Sequence, residues 1–423
     1  MPAALSPSLV QAARLVARVA AGQSLAAQSL LTSRSTGLES RAAVLDLVNG
    51  TLRKFGWVRR VVEALAHRGS PDALVSALLW CALYALDSGR YGAHTVVDET
   101  VRACGALERW SAKGFVNALL RSYVRKGPEL RDRLASDAEA HYQHPAWWID
   151  IVRSGYPDSW QRVLAAGNER PPMCLRVNRR RSSTEEYESR LREAGMSARR
   201  VGDAALILER PVPVERLPGF AAGDVSIQDA GAQRAAPLMS LFPGAAVLDA
   251  CAAPGGKAAH MLELEDIRLT ALEPEATRLL RLKQGLERLQ LAATVKQADC
   301  MRLDDWWDGA RFDRILADVP CTSSGVARRH PDVKWLRRAE DTSRFASQQA
   351  EMLDALWQVL APGGKLLYVT CSVFPGENEE VVAAFVLRTR GSRCVPLPDD
   401  IPSPLLPGPE HDGFFYALLE KEV

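Results

Sequence analysis

The sequence predicts a protein of three parts: an all-α bundle over residues 1–140, a small α+β subdomain over 141–225, and an α/β domain with a doubly wound parallel sheet over 226–423. A length of 423 residues exceeds one ordinary domain. Apolar residues recur at helical spacing in the first part, whereas short apolar runs alternate with helical segments in the last part. The composition, 47% hydrophobic and 25% charged, is typical of soluble globular proteins.

In the first part, apolar spacing predicts a helix that begins near Ser8 and ends at Gly22. A second helix is expected to begin at residues 71–72, a third to follow Thr95, and a fourth to span about 111–124. No run alternates with a period of two, so we predict a bundle without strands.

The second part is predicted to begin with a helix over 146–168, followed by a strand at 173–178, a helix at about 184–194 and a strand at 205–208. A basic cluster directly follows the first of these strands: Arg179, Arg180 and Arg181. Such a cluster could contact phosphates, which position a nucleic acid without reading its sequence. The alternative is a solvated loop.

The net charge of +2 hides an asymmetry. Residues 1–140 carry 18 Lys and Arg against 12 Asp and Glu, which gives +6, and residues 226–423 carry 22 against 28, which gives −6. A basic front half suits a polyanionic partner, although an Arg-rich solvated surface is the alternative.

Cysteine usage and hydropathy predict the compartment. Eight cysteines without a Cys-x-x-Cys pair or zinc spacing favour a reducing compartment and no metal. No signal peptide is evident, and the longest apolar stretch, residues 73–86, is too short to span a bilayer. We therefore expect a cytoplasmic protein that does not enter a membrane.

Residues 247–257 combine a short apolar run ending in Asp249, a loop of small residues and the start of a helix. Gly255 and Gly256 would let the backbone approach a ligand closely. The loop lacks both the three spaced glycines of dinucleotide sites and the Lys-Ser or Lys-Thr of phosphate-binding loops. It predicts a small-molecule site, with a plain strand–turn–helix as the alternative.

Further strands are predicted at about 268–275, 293–299, 312–321 and 365–372. Acids and cysteines stand at the strand ends: Asp249, Glu273, Asp299, Asp318, Cys321 and Cys371. Ligands of open α/β sheets bind at that edge, so we expect these side chains to line one site. Two buried structural cysteines or a redox pair are the alternatives for Cys321 and Cys371.

The segments 82–86, 94–101 and 113–121 resemble the NusB family of RNA-binding helical domains. This resemblance covers roughly residues 5–130 and implies an RNA partner. An unrelated helical bundle is the alternative.

Three motifs together resemble the RNA cytosine-5 methyltransferases that use S-adenosylmethionine: Cys251-Ala-Ala-Pro-Gly-Gly-Lys257, Asp318-Val-Pro-Cys321 and Thr370-Cys-Ser372. Residues 228–229, 328–335 and 412–416 fit the same pattern, so the resemblance covers nearly the whole chain. It implies a Rossmann-like S-adenosylmethionine-dependent methyltransferase domain.

The resemblance also implies roles for single residues. The implied cofactor contacts are Cys251, Ala252, Ala253, Pro254, Gly255, Gly256, Lys257, Glu273, Asp299 and Asp318. Cys371 would be the nucleophile and Cys321 would help to release the product. Glu273 stands where the family usually has an aspartate, so its contact with the ribose is the least firmly implied.

The chemistry explains why such residues are needed. A thiolate added to carbon 6 of cytosine turns carbon 5 into an enamine carbon that can accept a methyl group. Asp318 is the candidate hydrogen-bond donor near N3 of the ring, and it would have to be protonated to donate. A basic segment with one aromatic residue could hold the flipped base and its phosphates: Arg328, Arg329, His330 and Lys334. A solvated loop is the alternative.

These observations predict methylation of carbon 5 of a cytosine in 16S rRNA, either free or in an assembling small ribosomal subunit. A DNA cytosine-5 methyltransferase is a second hypothesis, but it would not need Thr370-Cys-Ser372. A third is a non-catalytic RNA-binding or antitermination factor that retains a methyltransferase-like domain. The intact cysteines and the complete 251–257 loop argue against the third.

Overall fold

The computed structural model describes residues 5–25, 38–66, 69 and 71–423. The helices are α1 Leu5–Ala20, α2 Leu38–Arg53, α3 Phe55–Leu65, α4 Ala73–Asp87, α5 Ala93–Ala106, α6 Lys113–Leu134, α7 Ala138–Tyr142, α8 Ala146–Gly155, α9 Trp160–Asn168, α10 Thr184–Glu193, α11 Ala230–Gln233, α12 Ala235–Leu238, α13 Gly256–Leu264, α14 Ala276–Leu289, α15 Leu303–Trp306, α16 Val333–Leu336, α17 Ala339–Val359 and α18 Glu379–Arg388. The strands are β1 Met173–Val177, β2 Ala198–Arg200, β3 Ala205–Leu208, β4 Val225–Ile227, β5 Ala246–Asp249, β6 Arg268–Leu272, β7 Thr294–Lys296, β8 Phe312–Asp318, β9 Leu360–Thr370, β10 Ser392–Val395 and β11 Phe415–Lys421.

The chain forms two compact units, residues 1–169 with 327–339 and residues 170–326 with 340–423. The described part of the first unit contains helices and no strands, which confirms the predicted bundle. Its core is built from aliphatic side chains of α1 to α6, and Asp72 caps α4 by accepting the backbone N–H groups of Leu74 and Val75. Among the described residues, no helix is both long and apolar enough to cross a membrane.

The prediction of one continuous helix over residues 146–168 is wrong. The structure has two helices there, because α8 ends at Gly155 and α9 begins at Trp160. Pro157 lies between them, and proline cannot continue a helix since it lacks the backbone N–H and clashes with the preceding turn.

The segment 327–339 folds with the helical unit, which the sequence did not indicate. Lys334 is fully buried, and its ammonium donates to the carbonyl oxygens of Arg53 at 3.3 Å and Gln143 at 3.0 Å and to Oδ1 of Asn168 at 2.7 Å. The indole of Trp335 donates to the carbonyl of Leu52 at 2.9 Å. These contacts fix the segment against helices α2 and α9.

That placement corrects part of the predicted RNA-binding loop. Arg328 is 1% exposed and Lys334 is 0% exposed, so in this arrangement neither side chain can face a nucleic acid. Arg329 is half-buried and His330 is exposed, and for these two the RNA contact stays a prediction.

The second unit contains two sheets. A four-stranded antiparallel sheet has the order β2-β3-β1-β4 and is covered by α10, which begins with a capping box of Ser183 and Glu186. A seven-stranded sheet has the order β10-β11-β9-β8-β5-β6-β7, in which β5 to β9 are parallel and β10 and β11 are antiparallel. The sequence had not indicated β2, β4 or β10.

The register of the parallel strands brings their carboxyl ends together. Asp249 of β5 lies beside Ala271 of β6 and Leu316 of β8, and Asp318 of β8 lies beside Val369 of β9. The loops that follow these strands therefore meet at one edge of the sheet.

A buried ion pair joins the four-stranded sheet to helix α13. Arg176 of β1 donates to both carboxylate oxygens of Glu263 on α13, at 2.9 and 2.7 Å. Its remaining nitrogen donates to the carbonyl of Gly256 at 2.6 Å and to Oε1 of Gln228 at 2.5 Å. The small sheet thus supports the helix that begins at the glycine loop.

Candidate active site

The loop between β5 and α13 can take its shape only with glycine at one position. Gly255 has a φ of +105°, and a Cβ there would lie 2.8 Å from Cδ1 of Leu282. The backbone then enters α13 at Gly256, whose first N–H groups have no partner within the helix. The loop thus brings the backbone N–H groups that begin α13 to the edge of the sheet, where a ligand could approach the backbone closely.

Acidic residues follow three neighbouring strands. Glu273 after β6 is 1% exposed, accepts the backbone N–H of Glu275 at 3.0 Å and lies 3.4 Å from a guanidinium nitrogen of Arg278. Asp299 after β7 is half-buried and accepts the backbone N–H of Met301 at 3.0 Å. These carboxylates are held by their own loops and stand where the sequence predicted them.

Asp249 at the end of β5 is 1% exposed, and neither carboxyl oxygen has a hydrogen-bond partner of normal geometry. Burial raises the pKa of Asp249 to about 7, and the neighbouring charge of Asp318 adds to the increase. A buried polar group without a partner is costly. The carboxyl is therefore suited to a ligand that brings its own donors.

Lys257 and Asp318 form an ion pair, with Nζ 2.5 Å from Oδ2. Burial lowers the pKa of Lys257, but attraction to Asp318 and the hydrogen bond to it outweigh this, and the pKa rises overall. Lys257 thus places a hydrogen-bond donor beside Asp318, and the donor role expected of Asp318 stays a prediction.

The two predicted cysteines meet at adjacent loops. Sγ of Cys321, after β8, lies 3.4 Å from Sγ of Cys371, after β9. Cys321 is 5% exposed and Cys371 is half-buried. The carbonyl of Cys371 accepts the backbone N–H of Gly325 at 2.8 Å, which ties the two loops to each other.

The surroundings of the two thiols differ. The contact with Cys321 lowers the pKa of Cys371, and the hydroxyl of Ser323 and the charge of Lys257 act in the same direction, against burial and Asp318. The contact with Cys371, burial and the charge of Glu377 together raise the pKa of Cys321. Cys371 is therefore the thiol that ionises first, and Cys321 is its proton-bearing partner.

A buried polar network that the sequence analysis missed lies behind the cysteines. Its members are Thr322, Ser324, Thr370, Ser372, Glu377 and Asn378. In the sequence, Glu377 belongs to the acidic run 377–380, which is typical of a solvated helix start. The only signal for it was its position a few residues after Thr370-Cys-Ser372.

The remaining predicted site residues are placed as follows. The side chain of Cys251 faces Cys300, so its contribution to a ligand would come from its backbone. Arg179, Arg180 and Arg181 are exposed, although Arg181 donates to Gln290 at 2.7 Å and Arg180 to the carbonyl of Glu263 at 3.3 Å. Their contact with RNA stays a prediction. Within the described residues, no three His, Cys, Asp or Glu side chains are grouped to hold a metal ion.

The parallel sheet and the small-residue loop after β5 define the class of Rossmann-like S-adenosylmethionine-dependent methyltransferases, here behind a NusB-type helical domain. The family model of the 16S rRNA methyltransferase RsmB/F matches residues 237–420, that of the RsmF/B-like ferredoxin-like domain 144–215, and that of the NusB family 10–125.

Relatives named ribosomal RNA small subunit methyltransferase B match over most of the chain. The relative from Vibrio cholerae is 41% identical over 90% of this chain and 89% of its own length. The relative from Pseudomonas syringae is 41% identical over 99% of this chain and 97% of its own length. The chain therefore belongs to the family of ribosomal RNA small subunit methyltransferase B. The resemblance to an RsmB-type methyltransferase with a NusB-like domain is confirmed.

Solved structures agree on the fold. The crystal structure of PH0851 covers 98% of this chain and 99% of its own at 23% identity, with a TM-score of 0.79. A methyltransferase homolog protein from Pyrococcus horikoshii covers 67% of this chain and 98% of its own at 26% identity, with a TM-score of 0.59. The fold of nearly the whole chain is thus found in one of these structures, and that of about two thirds of it in the other.

Proposed function

We propose that this protein methylates carbon 5 of a cytosine in 16S rRNA through a covalent adduct between Cys371 and carbon 6 of the base. The observation that carries the proposal is the 3.4 Å separation of the two sulfurs beside the Lys257–Asp318 pair. A structural pair of cysteines would not need an ion pair next to it.

The residues around the β5 loop fit S-adenosylmethionine. Asp249 is a buried carboxyl without a hydrogen-bond partner of normal geometry, and Gly255, where a Cβ would clash with Leu282, lets the loop pack closely against α14. The backbone of 251–257, with Glu273, Asp299 and Asp318, would hold the cofactor. Bound there, it supplies the methyl group that carbon 5 receives.

The protein's own residues divide the remaining steps. The Cys371 thiolate adds to carbon 6, and the electron pair of the 5,6 double bond becomes available at carbon 5. The ammonium of Lys257 stabilises the negative charge that reaches the N3 side of the ring, and Asp318, which is paired with Lys257, holds that ammonium in place. Cys321 then passes its thiol proton to the sulfur of Cys371 as that sulfur leaves carbon 6, and takes up the proton that carbon 5 loses, so that the 5,6 double bond re-forms.

RNA would be held by the exposed Arg179, Arg180, Arg181 and His330, by the half-buried Arg329 and by the NusB-type domain. Free 16S rRNA and an assembling small subunit are both compatible with this surface. Reaction on ribosomal RNA also supports a cytoplasmic location.

The test is a methylation assay on unmodified 16S rRNA, followed by nuclease digestion and mass spectrometry of the nucleosides. We expect 5-methylcytidine with the wild-type protein and none with Cys371→Ala, while the affinity for S-adenosylmethionine stays within about twofold. Cys321→Ala is expected to accumulate a protein–RNA adduct that survives denaturing gel electrophoresis. Activity retained in Cys371→Ala would overturn the proposal, and reversed behaviour of the two variants would exchange the roles.

The alternative, a non-catalytic RNA-binding factor, predicts rRNA binding without any methylated nucleoside. The complete site argues against it. The same assay decides, because that factor would leave the nucleoside composition unchanged.

A further inference from the structure

Glu377 occupies an unusual place for a carboxylate. It lies in the turn Pro375–Glu377, just before α18, and is 0% exposed. Its Oε1 accepts the backbone N–H of Thr322 at 2.8 Å, and its Oε2 accepts the hydroxyls of Thr322 at 2.5 Å and Ser372 at 2.6 Å. Thr322 directly follows Cys321, and Ser372 directly follows Cys371. One side chain thus bridges the two loops that carry the sulfurs.

We propose that Glu377 is a positioning residue that sets the separation of Cys321 and Cys371 and keeps Cys321 as the proton-bearing member of the pair. This inference rests on the proposed function of the two cysteines. Glu377 would act through these two loops and through its charge.

The bridge is part of a rigid network. The hydroxyl of Ser372 also lies 2.9 Å from that of Ser324, which accepts the backbone N–H of Val373 at 2.8 Å. Asn378 donates to the carbonyl of Ser372 at 3.0 Å and accepts the hydroxyl of Thr370 at 2.6 Å. Because each of these groups is buried and bonded, the cysteine loops have little freedom to separate.

The charge of Glu377 acts unequally on the two thiols. Cys321 faces Cys371, Glu377 and Tyr368, whereas Cys371 faces Cys321, Asp318, Lys257 and Tyr416. A carboxylate on the Cys321 side and an ammonium on the Cys371 side place the negative charge of the pair on Cys371. The backbone N–H of Thr322 and the hydroxyls of Thr322 and Ser372 donate to the Glu377 carboxyl and fix it between the two loops.

The test uses Glu377→Gln in the full-length protein. Gln has the same shape, its carbonyl can still accept the Thr322 backbone N–H, and the hydroxyls of Thr322 and Ser372 can rotate to accept from its NH₂ group. The matched control is Glu380→Gln, since Glu380 is an exposed carboxylate on the next turn.

The first readout is the pH profile of alkylation by iodoacetamide at Cys371 and at Cys321, quantified by peptide mass spectrometry without RNA or cofactor. We expect the label to fall mainly on Cys371 in the wild type and in Glu380→Gln. In Glu377→Gln the share of the label on Cys321 should rise several-fold. For two equally nucleophilic thiolates, each unit by which the pKa of Cys321 falls relative to that of Cys371 changes the labelling ratio about tenfold. An unchanged share in Glu377→Gln would overturn the electrostatic part of the inference.

The second readout is turnover on 16S rRNA. Loss of a residue that orients a reactive side chain typically costs about 10–100-fold, so kcat of Glu377→Gln should fall by at least about tenfold with KM for RNA unchanged. If that variant does not fold, Ser372→Ala carries the test. This variant keeps the charge of Glu377 but removes its hydrogen bond from Ser372. It should lower kcat without changing the share of the label on Cys321. A kcat equal to that of the wild type would overturn the positioning role. Failure of the proposed function would appear separately, as activity in Cys371→Ala.

Discussion

The Arg176–Glu263 pair gives a sharp test of how the small antiparallel sheet supports the cofactor loop. Arg176→Met removes the guanidinium but retains a long side chain of similar volume. It leaves the Glu263 carboxylate buried, at 4% exposure, and leaves the carbonyl of Gly256 without its 2.6 Å donor. Because Gly256 begins α13, we expect a loss of both stability and cofactor affinity.

The magnitude follows from the burial. Breaking a fully buried ion pair by removing one partner costs about 3–5 kcal/mol, since the remaining charge is uncompensated. In a domain of this size, 1 kcal/mol corresponds to about 2–4 °C in Tm, so Arg176→Met should lower the Tm of this unit by roughly 6–20 °C. The measurement is differential scanning calorimetry of the full chain, in which the transition that shifts is identified by its response to S-adenosylmethionine.

A double variant separates the pair from the packing. Replacing both partners by apolar residues, Arg176→Met with Glu263→Leu, removes the uncompensated charge and should recover most of the loss. The affinity for S-adenosylmethionine should stay reduced, because the Gly256 carbonyl still lacks its donor. A Tm of Arg176→Met within about 1 °C of the wild type would refute the reasoning.

Two further predictions concern single buried groups. The pKa of Asp249 lies at about 7, above its ordinary value of 3.8, so its contribution to stability is fully present below pH ~4 and is lost as pH rises through 7. Three pKa units correspond to on the order of 4 kcal/mol. Asp249→Asn should therefore raise Tm relative to the wild type at pH 8 but not at pH 4. Equal shifts in Tm at both pH values would contradict this. Lys334→Met leaves three acceptors unpaired and should lower the free energy of unfolding of the helical unit by about 1–3 kcal/mol, measured by denaturant unfolding. Lys126 is exposed, so Lys126→Met should change that free energy by less than about 0.5 kcal/mol. Equal effects of the two lysine variants would refute the role assigned to Lys334.

The parts of the fold that the sequence predicted are those encoded locally. Helices such as α4, with Asp72 as its cap, and strands such as β1 and β8 follow from periodicity and from residues within the segment. The parallel-sheet rule then predicts that Asp318 and Cys371 lie at one edge of the sheet. Short edge strands such as β10 were missed, because four residues carry too weak a periodic signal.

The errors arose where a side chain's environment is set by distant segments. Arg328 and Lys334 belong to a basic run that resembles a nucleic-acid contact, but acceptors supplied by residues 53, 143 and 168 bury Lys334. Glu377 belongs to an acidic run that resembles a solvated surface, but donors from Thr322 and Ser372 bury it. Lys257 was predicted as part of the cofactor loop alone, and its pairing with Asp318 depends on the register of two strands. No local pattern records such contacts.

The role of Cys371 as the nucleophile is tested most directly by trapping. A 16S rRNA fragment that contains 5-fluorocytidine at the target position cannot lose the carbon 5 substituent as a proton, so the wild-type protein with S-adenosylmethionine should remain covalently attached to it. Protease digestion and mass spectrometry of the attached peptide should find the nucleotide on Cys371. Attachment at Cys321, or no attachment while unsubstituted RNA is methylated, would contradict the mechanism.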